Sequence, residues 1–400
     1  MLNRLFILPL VLLPLGETHA AEWSSEASIE IRHFSDDALI PQQHEANLSV
    51  TFETEFYHDW DDGNQRFVFT PFARIDQNDS ERSHADLREL YWRKTFNNTD
   101  LYIGVRKIFW GVTESLHLVD IINQSDTIEN LDGEDKLGQP MVSLFHATEL
   151  GDWSLYILPW FRERTFAGIE GRLRTPFVVN TDNTRYESGD DEKHIDSALR
   201  WSHVIDDWDV GLSYFHGTDR TPQLIPQTNS GITTLLSYYA QLDQLGLDAQ
   251  YTYESWLWKL ESVSRRHDNR FSPHLTSSEA AVGGFEYTWY ALFDSATDIG
   301  LVMEYQYDSR EGNLAPIANN DIALGSRLTF NDVQDTTLLA LVASDLDQRE
   351  RFISLEGSRR LGDDMSLNIE ARLFSNTTPQ TQLYSLRDDD YLELLLTRYF

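Results

Sequence analysis

The residues best placed to do chemistry in this 400-residue chain are charged side chains that recur at alternate positions within apolar stretches. Arg74, Arg93, Arg106, Arg162 and Arg200 follow one another along one arc of the chain. Glu53, Glu55, Glu261, Glu286, Glu304, Glu356, Glu370 and Glu393 occupy the complementary arc. Rows of opposite sign across a water-filled gap make a transverse field, which orients polar solutes and sorts them by charge. The rows are mixed, because Glu89 falls on the basic arc and Lys259, Arg327 and Arg372 fall on the acidic one. Arginines and glutamates that merely pair with neighbours would leave the same pattern without a field.

Other chemistries find little support. There is no Gly-x-Ser-x-Gly elbow, no His-Glu-x-x-His and no phosphate loop. Ser143, His146 and His216 stand in no catalytic spacing. The absence of cysteine removes disulfides, thiolate zinc sites, Fe–S clusters and cysteine nucleophiles. A formal charge of −33 argues against nucleic acid as a partner, since binding it needs a basic face. The chain therefore reads as a non-enzyme with no cofactor and no resident metal.

Positioning such rows requires long, regular strands. Met1-Leu-Asn-Arg4, an apolar stretch from Leu5 to Leu15, and Thr18-His-Ala20 before Ala21 predict a signal peptide over residues 1–20, cut after Ala20. The apolar stretch is too short for the ~20 residues of a spanning helix. Residues 21–400 then form one domain. Its dominant pattern has period two: Leu48, Val50, Phe52 and Phe56 alternate with Asn47, Ser49, Thr51, Glu53 and Glu55. Strands are expected at 23–33, 45–58, 65–77, 84–97, 99–110, 140–150, 152–163, 193–204, 208–217, 237–252, 255–267, 278–291, 298–309, 320–331, 336–345, 349–361, 364–375 and 388–400. The connections after even-numbered runs are short, as at Asn98, Gly151 and Gly362-Asp363. Most of those after odd-numbered runs are long: 34–44, 111–139, 164–192, 218–236, 268–277, 310–319 and 376–387, with 78–83 and 346–348 as exceptions. Loops sorted by length onto two ends predict an all-β, up-and-down antiparallel transmembrane barrel of about 18 strands. A mean hydropathy of −0.42 is no objection, because such a barrel hides its apolar residues at every second position. A barrel that wide keeps an open or a plugged lumen.

The last strand, Tyr391-Leu-Glu-Leu-Leu-Leu-Thr-Arg-Tyr-Phe400, places Leu392, Leu394 and Leu396 in alternation before a terminal Phe400. It resembles the C-terminal strand signal of Gram-negative outer-membrane proteins, which implies recognition of Phe400 by the barrel-assembly machinery. Arg398 departs from that signal, standing where an aromatic is commoner. The long stretch 111–139 resembles the third loop of porins, which folds inward and narrows the pore. Its opening, from Trp110-Gly111 to Val119-Asp120, is also similar to alginate-export-like porins. The resemblance implies a bacterial outer-membrane channel for small hydrophilic solutes, with Trp110, Glu114 and Asp120 in the constriction. Outer-membrane lipid and lipopolysaccharide are its implied surroundings.

The remaining side chains fit around that reading. Trp92, Trp201, Trp256, Trp258, Trp289, Tyr305, Tyr307 and Phe400 are expected on the lipid face as interfacial girdles. Tyr91, Tyr102, Trp110, Tyr156, Trp160 and Phe215 are expected inside, as packing or as a stacking track for sugar rings. Two acidic runs, Asp182 to Glu192 and Asp388 to Asp390, read as solvated faces, or as places where Ca²⁺ or Mg²⁺ is shared with lipopolysaccharide phosphates. Asp126 to Asp135, with Glu129, Asp132 and Glu134, lacks the spacing of an EF-hand loop. A second reading of the whole chain is an export conduit or scaffold barrel within an envelope complex. The glutamate rows make a polyanion an awkward passenger for it.

Overall fold

A computed structural model describes residues 21–268, 277–312 and 315–400; the expected signal peptide lies outside them. The chain opens with β1 (Glu22–Phe34), β2 (Ala46–Trp60), β3 (Gln65–Asp76), β4 (Ala85–Phe96), β5 (Thr99–Arg106), β6 (Gln139–Thr148) and β7 (Gly151–Leu158). After β8 (Val179–Tyr186) come β9 (Asp196–Ile205), β10 (Trp208–Thr218), β11 (Gln223–Asn229), β12 (Ile232–Tyr239) and β13 (Gln241–Tyr253). The remainder is β14 (Trp256–Asp268), β15 (Ser277–Trp289), β16 (Asp298–Asp308), β17 (Asn320–Thr329), β18 (Thr337–Asp345), β19 (Arg351–Arg360), β20 (Met365–Ser375) and β21 (Tyr391–Tyr399). All but β8, β11 and β12 form a single 18-stranded antiparallel sheet. It closes on itself where β1 pairs with β21, Ile29 opposite Leu396. Closure leaves no sheet edge, which is the condition for strands to cross lipid.

The alternation has an inverted sense. On β1, Ile29 and Ile31 are each 49% exposed, whereas Glu30 and Arg32 between them are 3% and 6% exposed. Apolar side chains therefore point outward and charged ones into the barrel, the opposite of a soluble sandwich. Trp258, Trp289, Tyr305 and Tyr307 stand on the outer face with the aliphatic side chains.

Each of the eighteen expected strand runs corresponds to one barrel strand. Three details differ. β11 and β12 form a hairpin and β12 pairs in parallel with β8, so a small second sheet occupies connections expected only to be long. The expected run 237–252 divides at Ala240, because Leu235 to Tyr239 are buried in succession and carry no alternation to read. The expected runs 99–110 and 152–163 stop at Arg106 and Leu158. Pro159 ends the second by removing a ladder donor.

The main apolar core lies inside the barrel. Trp110, Leu118, Val119, Ile121 and Ile122, all from the segment between β5 and β6, pack against Met141, Tyr156, Leu158, Ala198, Phe215, Leu242, Val263, Ala280 and Val282 of the wall.

Candidate functional site

The registers fix which side chains share the inner face. Arg74 lies opposite Thr51, Arg93 opposite Tyr102, Arg106 opposite Gln139 and Arg200 opposite Ser213. Glu53 faces Glu26 directly, and Glu356, Glu370 and Glu393 form one cross-strand row over β19, β20 and β21. Arg162 differs, because β7 ends before it. It sits in the following connection, donating to Asp86 at 2.8 Å and to the Gly138 carbonyl at 2.9 Å.

The basic residues are mostly engaged. Arg74 is 7% exposed, held by Glu129 and Glu30, so it is sealed rather than open to a pore. Arg200 bonds both oxygens of Asp248, at 2.6 and 2.8 Å, and stands over the Trp110 ring. Arg93 reaches the Gly63 carbonyl in the β2–β3 turn. Arg106 has no carboxylate within 4 Å among the described residues. It donates to Ser143 at 3.0 Å and stacks 3.7 Å above Tyr102.

The acidic residues divide into three kinds. Glu393 pairs with Arg32, while Glu356 and Glu370 share the buried Arg372, and Glu286 lies 3.6 Å from Lys259. Glu53 and Glu55 have no cation within 4 Å among the described residues, nor do Glu26 and Glu89 beside them. Glu261 and Glu304 are 0% exposed and form the third kind, so their expected place along an open pore wall is corrected. Glu261 accepts from the amides of Val112, Thr113 and Val119 and from the Thr113 hydroxyl. Glu304 accepts from the amides of Glu114 and Ser115. Two wall carboxylates thus take up main-chain donors that a buried irregular segment would otherwise leave unsatisfied.

The Trp-Gly motif has its reason here. Gly111 has φ +151°, and a Cβ there would lie 2.8 Å from His117 Nδ1 and 3.1 Å from Glu261 Oε1. Only glycine brings the main chain onto that carboxylate. Asp120 accepts from the Trp110 amide and pairs with Lys136 at 2.9 Å, bracing the segment internally. Glu114 pairs with Arg327 of β17. At its other end the segment meets Arg74 through Glu129, Arg372 through Asp132, and Glu370 through Asn130. The segment is therefore bonded to β14, β16 and β17 at one end and to β3 and β20 at the other.

His117 joins two of these parts, 2.7 Å from Glu134 and 3.8 Å from Glu261. Burial disfavours its charge, but the two carboxylates outweigh burial and hold its pKa up, at about 10 against an ordinary 6.5. A raised pKa gives a contribution that is complete below the ordinary value and lost as pH rises through the raised one. The segment is therefore expected to loosen on alkalisation toward about pH 10. In planar bilayers, current noise should rise there in the wild type, and His117→Gln should lack the transition.

Several side chains important to this arrangement are not singled out by alternation alone. Glu30, Arg82 and Asp248 lie at inward or loop positions with nothing to distinguish them until chain-distant partners meet them. Inward phase was the available signal for Glu30 and Asp248. Ser143 points inward opposite Tyr156, while His146 and His216 lie on the other phase of their strands, so the three cannot converge. Asp389 is 4% exposed and bonded to Arg172, which makes this part of the acidic run structural.

No family model matches the chain, and no curated relative matches it. Among solved structures, OccK11 (OpdR) of Pseudomonas aeruginosa is 11% identical, with 95% of each chain covered and a TM-score of 0.53. A triple mutant of the Rhodopseudomonas blastica porin is also 11% identical, covering 95% of this chain and all of that one, with a TM-score of 0.45. The fold is that of a bacterial porin barrel. Its closed sheet and outward apolar belt make it an outer-membrane barrel.

Proposed function

We propose that the protein is a passive outer-membrane channel for small hydrophilic solutes, narrowed by the segment 107–138 and preferring cations. The observation that carries this reading is the asymmetry of the interior. The segment packs apolar side chains against the wall from β6 to β15. The proposed passage runs along the side built by β17 to β21 and β1 to β4, which the segment meets through the polar contacts of Glu114, Glu129 and Asp132. That side holds Glu26, Glu53, Glu55 and Glu89 without ion-pair partners, and Glu356, 43% exposed at its side chain. Fixed negative charge on one wall of a narrow aqueous path concentrates cations and repels anions. The opposed-row field is thus reduced to a carboxylate wall with a few cations near it, chiefly Lys107, Arg106 and Arg327.

No energy input or covalent chemistry enters this reading. Phe400 supports the proposed assembly route: its main chain exchanges hydrogen bonds with Ser25 across the β1–β21 seam, and its side chain stays 67% exposed. The test is reconstitution of the refolded full chain in a planar bilayer. Ohmic single-channel steps with a reversal potential on the cation side of a salt gradient are expected. A barrel that stays closed until the segment is removed would overturn the open-channel reading in favour of a gated conduit or scaffold.

A further inference from the structure

One charged cluster near the ends of β1 and β3 and the start of β4 is left uncompensated once its ion pairs are assigned. Arg74, Arg82 and Arg88 meet the buried carboxylates of Glu30, Asp76, Asp126 and Glu129, and the network continues through Arg32 to Glu393 and through Asp86 to Arg162. Five guanidiniums against six carboxylates leave a surplus negative charge where solvation is poor. The surplus lies beside His84, one residue before β4. Its Nδ1 is 3.0 Å from the Arg82 carbonyl, which only accepts, so Nδ1 carries the ring proton. Nε2 then offers a lone pair. It is buried, makes no hydrogen bond among the described residues, and faces Glu129 Oε1 at 3.6 Å and Asp126 Oδ2 at 3.8 Å. The three ligand atoms lie within 4.8 Å of one another. The carboxylate oxygens also accept from Arg74 and Arg88, whereas Nε2 has no donor among the described residues, and one small cation can reach all three atoms.

We propose that His84, Asp126 and Glu129 bind a divalent metal ion of borderline softness, with zinc as the reference ion. One imidazole nitrogen and two carboxylate oxygens suit such an ion and leave a fourth position for water. Calcium, which takes six to eight oxygens, is poorly matched. Arg74 and Arg88 donate to the same two carboxylates, and Thr165 to Asp126 Oδ1, fixing their orientation as outer partners of a metal site do. His84 belongs to the wall, whereas Asp126 and Glu129 belong to the segment 107–138. The ion stitches one to the other, and this consequence rests on the proposed channel reading.

The test uses the refolded full chain in detergent, stripped with EDTA and titrated with Co²⁺ by visible absorption and with Zn²⁺ by equilibrium dialysis. The wild type is expected to bind one more ion than His84→Gln, or to bind it at least ~30-fold more tightly. Its Co²⁺ spectrum should report nitrogen ligation, and Glu129→Gln should weaken binding as well. In bilayers, Zn²⁺ should quieten the wild-type current and leave His84→Gln unchanged. Equal binding by the wild type and His84→Gln overturns the site. So does a protonated Nε2 seen by nitrogen NMR at neutral pH in protein that takes up no metal, because a proton would then be the missing cation. A barrel that conducts but binds no metal overturns the site alone, and one that binds metal without conducting overturns the channel alone.

Discussion

Replacing Glu261 and Glu304 together with alanine is expected to raise single-channel conductance at least about twofold and to admit bulkier solutes. The expectation follows from what the two carboxylates hold. Glu261 satisfies the amides of Val112, Thr113 and Val119, and Glu304 those of Glu114 and Ser115. Each buried amide left without an acceptor costs about 1–3 kcal/mol. Several such losses within a few residues exceed what an irregular segment can absorb in place. The contacts of Leu118, Val119, Ile121 and Ile122 with the wall oppose release, so either single substitution should have the smaller effect. Glu261→Gln keeps an acceptor oxygen but loses the charge, and should fall between wild type and alanine. Conductance steps and liposome swelling with sugars of graded size are the measurements. Unchanged conductance in the double variant, with the barrel verified as folded, would show that the apolar contacts alone fix the segment.

The strands were legible because the barrel enforces a strict period: one face meets lipid, the other water and charge, and a slip of one residue would bury Glu30 in hydrocarbon. Leu235 to Tyr239 were misjudged for the converse reason, being covered on both faces and hence without alternation. The interior was legible in phase but not in partnership. Alternation puts Glu53 and Glu261 on the same inner face, yet among the described residues one has no cation within 4 Å and the other is consumed by loop amides. That distinction is made by a segment more than a hundred residues from Glu261 in the chain, and no local pattern encodes it. The Trp110-Gly111 pair stood out in the sequence only as a family resemblance, and the close approach of its glycine to Glu261 emerged only from the fold.

Selectivity supplies the second large effect. Glu53→Gln, Glu55→Gln and Glu89→Gln combined should move the reversal potential toward the anion side by at least a third of the ~59 mV Nernst span per decade of salt. The reason is that these carboxylates, with Glu26, have no cation within 4 Å among the described residues, so their charge is available to passing ions. Arg106→Glu should move it the other way, because among the described residues Arg106 has no carboxylate within 4 Å and is held by Ser143 and by the rings of Tyr102 and Tyr91. Arg162→Glu separates a structural role from a selective one. Arg162 is bonded to Asp86 and to the Gly138 carbonyl, so its reversal sets two carboxylates against each other. Lower yield of folded barrel is expected there, with selectivity little changed in what does fold. Raising the salt concentration should shrink the glutamine effect, since screening falls within about 3 Å at 1 M. If the triple variant and Arg106→Glu both leave the reversal potential unmoved, the permeating ions do not pass the β1–β5 wall. The passage would then have to lie on the far side of the segment.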